Sequence, residues 1–465
     1  MKILFIQRLP FLSVGTMILS AVLKRAGHDT EVLIADATPR AARDNAIAGA
    51  DLLGFYCVTG SENWLKKFIE PYGTLPPLAL GGPHPTFVPD VVRETRADFA
   101  IRGEAEGALP ELLESLGAPP DKLKEIKNLC FVDNGKLHIS EQRDLVADLD
   151  ALPFQDLEPY MRYPFLKQHI QELYPVITSR GCPHNCAYCF NKKFKEMHQG
   201  KGTYTRRRSP ANVISELLIA KRDHSVRKCS FEDDSFITSK PWLNEFSEIY
   251  AREIGIPFIC QTPAASLDAE TVALLARMNC ISARIGVETA DEDNRLKILN
   301  KKVSNRQIAD AAAALKKNGI MIQTYNMVGI PGEGLAHALK TMYFNRSIKS
   351  DFTWVSFYHH YPGTVMHDEL AKGSGALPPT DEGEGFFAPG AAIAPDRRLV
   401  RLGMLMQFFN AARMPAPAAV FLLSLPLTPL YKLLHKLFYA FSIKKINRLG
   451  WKSFIGISLR SKKYF

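Results

Sequence analysis

The stretch Thr178-Ser-Arg-Gly-Cys-Pro-His-Asn-Cys-Ala-Tyr-Cys-Phe-Asn191 puts Cys182, Cys186 and Cys189 on one short loop. Pro183, His184 and Asn185 are turn residues, which argues against a simple buried trio of thiols. Thiols spaced C-x3-C-x2-C can ligate three corners of a [4Fe–4S] cube. Such a cube normally takes four cysteines, so the remaining iron is left for an exogenous ligand. His184 keeps a second reading open, a Cys3His zinc site. Gly181 allows a tight backbone approach, and Tyr188 sets a ring between the last two thiols.

Downstream, strand and helix alternate six times. The pattern predicts strands at Tyr174–Thr178, Cys229–Asp233, Pro257–Thr262, Ile281–Glu288, Ile320–Val328 and Phe352–Tyr358. Helices fall between them at about 210–223, 240–253, 268–278, 304–318 and 335–348. Six such units predict a partial parallel (β/α)6 barrel, with its chemistry at the carboxyl ends of the strands. The cysteines, Asp233, Gln261, Glu288, Gly329 and His359 all fall at those ends.

Upstream, residues 1 to about 118 also alternate, with strands at Lys2–Gln7, Thr30–Ile34, Leu52–Val58, Leu78–Gly81 and Asp98–Arg102. This predicts an open, doubly wound, Rossmann-like sheet that takes ligands beyond its strand ends. Asn134-Gly135 marks a hairpin over Leu129–Ile139. The expected division is a front domain at 1–140, a linker at 141–173, the barrel at 174–370, and a linker with a helical tail at 371–465. Residues 371–396 read as a loop and Arg397–Ala412 as a helix.

The chain is 46% hydrophobic and 23% charged, as expected of a globular protein. Cys57, Cys130, Cys229, Cys260 and Cys280 lie singly in apolar runs and read as buried thiols, without a disulfide framework. Gln7, Arg8 and Pro10 interrupt the first apolar run, and no small-residue cleavage site follows. A cytoplasmic protein is expected. The net charge is +10, yet Arg401 to Phe465 holds eleven Lys and Arg and no Asp or Glu, leaving −1 for the rest. Pro426, Pro429, Lys432, His435 and Lys436 interrupt the tail, so no spanning helix is predicted. A basic amphipathic tail lying on the inner face of the membrane is one reading. Packing against the barrel is the other.

Several strand ends carry recognisable chemistry. Phe231-Glu-Asp-Asp-Ser235 sets carboxylates where burial demands a cation; helix capping before Lys240-Pro241 is the plainer reading. Glu288, in Ile285-Gly-Val-Glu288, can accept from ribose hydroxyls or pair with Arg295 or Lys297. Val328-Gly-Ile-Pro-Gly-Glu333 offers Gly329 for close approach to a flat ring. His359 and His360 can meet a ligand or stand as loop histidines. In front, Gly81-Gly-Pro-His84 and Arg102-Gly-Glu104 end two strands.

Together these segments resemble the cobalamin-binding radical S-adenosylmethionine (SAM) enzymes, over about residues 1–370. The resemblance implies that Cys182, Cys186 and Cys189 hold the [4Fe–4S] cluster. It implies that Tyr188, Asp233, Asp234, Glu288 and Gly329 line SAM, and that Gly81, Gly82, His84, Gly103 and Glu104 line cobalamin. The Asp-x-His-x-x-Gly motif of other cobalamin proteins is absent from the sequence, so His84 either orients the nucleotide tail or approaches the lower face. No catalytic residue is assigned. The implied reaction is methylation of an unactivated carbon or phosphorus through a 5′-deoxyadenosyl radical and methylcobalamin. Oxidative ring closure is the alternative, and a methylthiotransferase would need further cluster cysteines. Expected partners are a small-molecule or lipid substrate and a reductant such as flavodoxin or ferredoxin, with no nucleic acid.

Overall fold

A computed structural model describes residues 1–374 and 396–448. The first strands, β1 (Lys2–Gln7), β2 (Asp29–Ile34), β3 (Leu52–Tyr56), β4 (Leu78–Gly81) and β5 (Phe99–Ile101), form a parallel sheet in the order β2-β1-β3-β4-β5. That is a doubly wound order, as the alternating pattern predicts. The hairpin strands β6 (Leu129–Asp133) and β7 (Lys136–Ile139) add antiparallel to β5, so the sheet is mixed. Asn134 and Gly135 take positive φ at the turn, the backbone that an Asn-Gly hairpin requires.

The second sheet is built from β8 (Tyr174–Val176), then β11 (Cys229–Phe231), β12 (Phe258–Gln261), β13 (Cys280–Glu288), β14 (Met321–Val328) and β15 (Phe352–Phe357). All six run parallel, each beside the next in chain order. Between β8 and β11 lies a two-residue antiparallel ladder, β9 (Ser179–Arg180) with β10 (Arg206–Arg207), which the sequence pattern missed. It is too short to show alternation, and it pinches the base of the cysteine loop. On β13, Ala283, Ile285 and Val287 are buried, while Arg284 and Gly286 between them are partly open. This period of two separates the helix-covered face from the lumen.

Residues 141–173 are more than a linker. The segment is a strap over the front sheet and contains helices Glu158–Met161 and Pro164–Glu172. Asp156 accepts from Ser20 at 2.5 Å and pairs with Lys24 at 2.9 Å. The Tyr160 hydroxyl donates to Gln7, and Tyr163 donates to the Val32 carbonyl at 3.1 Å. Leu157, Tyr160, Leu166 and Ile170 join one apolar core that runs from β1 to β8 and β11. Each such side chain contributes about 2 kcal/mol on burial. The sequence hides the strap because its apolar residues are too sparse to repeat.

Among the described tail residues, helix Arg397–Ala411 is observed within a residue of expectation, followed by Ala416–Ser424 and Thr428–Ile446. Leu402, Leu405, Met406, Phe409, Leu423 and Tyr431 form a separate core with Val355 and Phe357 of β15. Packing against the barrel is therefore observed for these helices. Helix Val365–Ser374 runs into the start of the loop expected at 371–396; residues 375–395, and the chain beyond 448, lie outside the described residues.

A polar latch closes the two sheets on each other. Arg180 and Arg206 stand opposite one another on the β9–β10 ladder. Like charges so placed repel, and Glu104 from the front domain sits between them. Arg180 meets Glu104 at 3.0 Å and Glu106 at 2.5 Å, and Arg206 meets Glu104 at 2.8 Å. Val146 N donates to the same Glu104 carboxylate at 2.9 Å. Burial alone would push the Glu104 carboxyl up, but Arg206 and Arg180 outweigh it and hold it at about 2. A carboxylate depressed in the folded state stabilises above its unfolded value and loses that contribution as pH falls through the folded one. Glu104→Gln should therefore destabilise the chain by about 3 kcal/mol in urea unfolding at neutral pH. The gap to wild type should narrow as pH falls from about 4.5 toward about 2.

Candidate cofactor site

The three cysteines lie on the loop between β9 and the helix Asn191–Met197; all are free and partly exposed. Gly181 has φ +81°, and a Cβ there would lie 2.5 Å from the Tyr204 carbonyl oxygen. The loop thus turns against the segment that returns to β10. Burial pushes the Cys182 and Cys186 thiols up, and Cys189 up to about 11. Metal binding to such thiols releases their protons. Among the described residues, no three His, Cys, Asp or Glu side chains converge on one ion. His184 and the thiols are therefore not drawn together as a tetrahedral zinc site requires. Three free cysteines on one loop can offer a cube one thiolate to each of three irons.

Asp234 stands exposed beside Asn191, near Cys182 and Cys189. Asn191 donates to Cys189 Sγ at 3.4 Å and accepts from the Tyr204 hydroxyl at 2.5 Å. Asp233 is placed differently. It is buried, and its Oδ1 accepts from Thr178 N at 3.1 Å, Thr178 Oγ1 at 2.8 Å and the Ser179 hydroxyl. Its side chain holds the end of β11 to the Thr178–Ser179 step that leads into β9. Its Oδ2 has no partner.

On the facing strand, Glu288 takes φ +60°, rare for a residue with a Cβ. Tyr188 donates to its Oε1 at 3.1 Å, and Lys301 pairs with the same oxygen at 2.7 Å. Neither Arg295 nor Lys297 is the partner. Arg295 is fully buried and donates to the carbonyls of Val287, Thr289 and Val303. Lys297 pairs with Asp293. Lys301 lies 13 residues on, in a loop where no helical spacing points to it.

Gly329 has φ +79°, with open space where a Cβ would stand, so a flat group has room there. Glu333 folds back to accept from Gly329 N at 2.7 Å. Burial pushes its carboxyl up to about 7 against that hydrogen bond. His360 is buried, and His367 Nδ1 donates to the His360 carbonyl at 3.0 Å.

The front domain presents the end of β4. Open space lies beyond Gly81, which fits a bulky ligand at that edge. At Gly82, φ is +103°, and a Cβ would meet the Cys57 carbonyl and the Tyr56 ring, each at 2.9 Å. Gly82 is thus required by its own domain's packing. His84 is buried, with Nδ1 at 3.1 Å from Thr59 Oγ1 and Nε2 at 4.0 Å from Glu62. Burial lowers its pKa, against the pull of Glu62. Gly103 packs against His198 of the barrel, and both Glu104 oxygens are engaged by the latch. These two belong to the domain junction, a role that the strand-end pattern could not distinguish from ligand binding. Phe87, just past His84, lies 6.4 Å from Phe190 and 6.5 Å from Phe194, an apolar wedge beside the cysteine loop. Cys57 and Cys130 are buried in the front sheet and offer no second cluster.

Residues 9–113 match the B12 binding domain and 176–344 the Radical SAM superfamily. The chain is 28% identical over 295 residues to an uncharacterized methyltransferase of Pyrococcus horikoshii, 62% of each chain. It is 23% identical over 370 residues to the anaerobic magnesium-protoporphyrin IX monomethyl ester cyclase of Rubrivivax gelatinosus, 76% of this chain and 65% of the cyclase. The matches thus span less than two thirds of either relative. The cobalamin-dependent SAM radical enzyme OxsB, with aqua-cobalamin and SAM bound, superposes with a TM-score of 0.65 at 16% identity, covering 100% of this chain and 75% of OxsB.

Two variants test the site. Gly181→Ala should lower iron per chain after anaerobic reconstitution, because both its φ and the Tyr204 carbonyl oppose a Cβ. Glu333→Gln acts on stability. A carboxyl raised in the folded state stabilises below its unfolded value and loses that contribution as pH rises through about 7. The variant should gain on wild-type apoprotein by about 2 kcal/mol between about pH 5 and pH 8, read by urea unfolding.

Proposed function

This chain carries a B12 binding domain ahead of a radical SAM domain, the make-up of a cobalamin-binding radical SAM enzyme with [4Fe–4S], SAM and cobalamin as cofactors, and we propose that it removes hydrogen from its substrate to drive an oxidative ring closure without methylation. When bound, the cluster and SAM supply a 5′-deoxyadenosyl radical, and cobalamin supplies a second redox centre. The carrying observation is convergence. The free thiols, Asp234 and the Tyr188–Glu288–Lys301 group share one end of the barrel, and the latch holds the carboxyl edge of the front sheet close to it.

The chain's own residues divide the work. Cys182, Cys186 and Cys189 hold the cluster. Asp234 offers a carboxylate to the SAM ammonium. Glu288, held by Lys301 and Tyr188, accepts from ribose hydroxyls, and Gly329 leaves room for adenine. Asp233 positions the loop from behind. Gly81 opens the cobalamin edge, His84 is held by Thr59, and Phe87 packs beside Phe190 and Phe194 at the junction. Ring closure is favoured over methylation by the cyclase match, which extends over 76% of this chain. Methyl transfer, the first expectation from sequence, is the second reading; the Pyrococcus horikoshii relative favours it. The substrate is a small molecule or a lipid, and the electron comes from a flavodoxin or ferredoxin.

Uncoupled turnover separates these readings without the substrate. Anaerobically reconstituted protein with cobalamin, SAM and dithionite should hold about four irons per chain. It should release 5′-deoxyadenosine without accumulating S-adenosylhomocysteine. Cys186→Ala should abolish that release. Accumulation of S-adenosylhomocysteine stoichiometric with cobalamin would establish the methylating reading instead. A colourless, zinc-loaded protein that is active would sink both.

A further inference from the structure

Helix Thr428–Ile446 packs on one side only. Tyr431, Ser442 and Ile446 are its buried residues, and the Tyr431 hydroxyl donates to the Leu422 carbonyl at 2.5 Å. Leu430, Leu433 and Leu437 recur at helical spacing on the opposite side and are 46%, 53% and 46% exposed. The preceding corner adds Phe421 at 65% and Leu427 at 41%. A row of large apolar side chains in water marks an interaction surface.

Charge selects the occupant. The segment from Arg401 to Phe465 carries eleven Lys and Arg and no acidic residue. A second copy of this chain docking here would bring two such segments together, and like charges would oppose it. A leaflet of anionic lipid offers both acyl chains for the leucines and negative charge for the surround. Among the described residues no helix is long and apolar enough to cross a membrane, so the helix lies along the surface.

We infer that the face formed by Leu430, Leu433 and Leu437, with Phe421 and Leu427 at its edge, docks the enzyme on an anionic lipid leaflet. The inference stands apart from the reaction proposed above, since docking needs neither cluster nor cobalamin. Tyr439 of the same helix rests on Phe352 and Trp354 of β15, at 5.7 and 5.4 Å between ring centres. Docking therefore brings the last barrel strand to the membrane surface.

The full-length protein should pellet with phosphatidylglycerol-containing vesicles and not with phosphatidylcholine alone, and less as salt rises. The double change Leu433→Asp, Leu437→Asp should weaken vesicle binding at least about tenfold, with iron content and melting temperature unchanged. Should the aspartates lower the melting temperature, Leu433→Ser with Leu437→Ser is read in their place. Recovery of wild type in the supernatant with both vesicle types overturns the inference. So does a variant that pellets like wild type. So too does a wild-type dimer in light scattering that the variant dissolves while neither binds vesicles, which would make a second copy the occupant.

Discussion

Glu104 is the anion on which the arrangement of the two sheets depends. Arg180 and Arg206 face each other across a ladder of two residues per strand, and neither strand is long enough to hold them together by backbone bonds alone. With Glu104 between them the repulsion becomes attraction, and the carboxylate stays charged although buried. Arg180 is also two residues ahead of Cys182. The cysteine loop therefore begins at the same point where the front domain is held, and the position of one constrains the other.

Much of this was legible in the sequence because the signals are local. Parallel strands buried on both faces read as continuous apolar runs, and every main strand of both sheets lies within two residues of its expected bounds. The cysteine spacing and the positive φ of Gly181 and Gly329 follow from neighbouring residues. What escaped is long-range pairing. Lys301 reaches Glu288 across a loop, and Arg206 reaches Glu104 over 102 residues. No periodicity encodes such partners. Arg102-Gly-Glu-Ala-Glu106 has the look of a ligand-binding strand end, and the same glycine and carboxylates serve equally well to clamp a second domain.

Asp233 and Asp234 show how adjacent identical residues part company. The backbone turns one inward to accept from Thr178 and Ser179, and leaves the other exposed near the thiols. Composition cannot separate them, because the difference is which face of the strand end each occupies. The tail is similar. Its charge is plain from sequence, yet only the packed positions of Tyr431 and Ile446 reveal which leucines are left in water.

The latch also has an order in time. Translation delivers Glu104 before Arg180, and Arg180 before Arg206. Until the second arginine has emerged, the β9–β10 ladder cannot form, and the cysteine-bearing segment between its strands has an open base. The thiols lie on the span between the two ladder arginines, so the base of that span closes only once both have been made. The front-domain carboxylate is then the partner the two arginines share, which makes the cysteine-bearing turn a closed loop fastened at its neck.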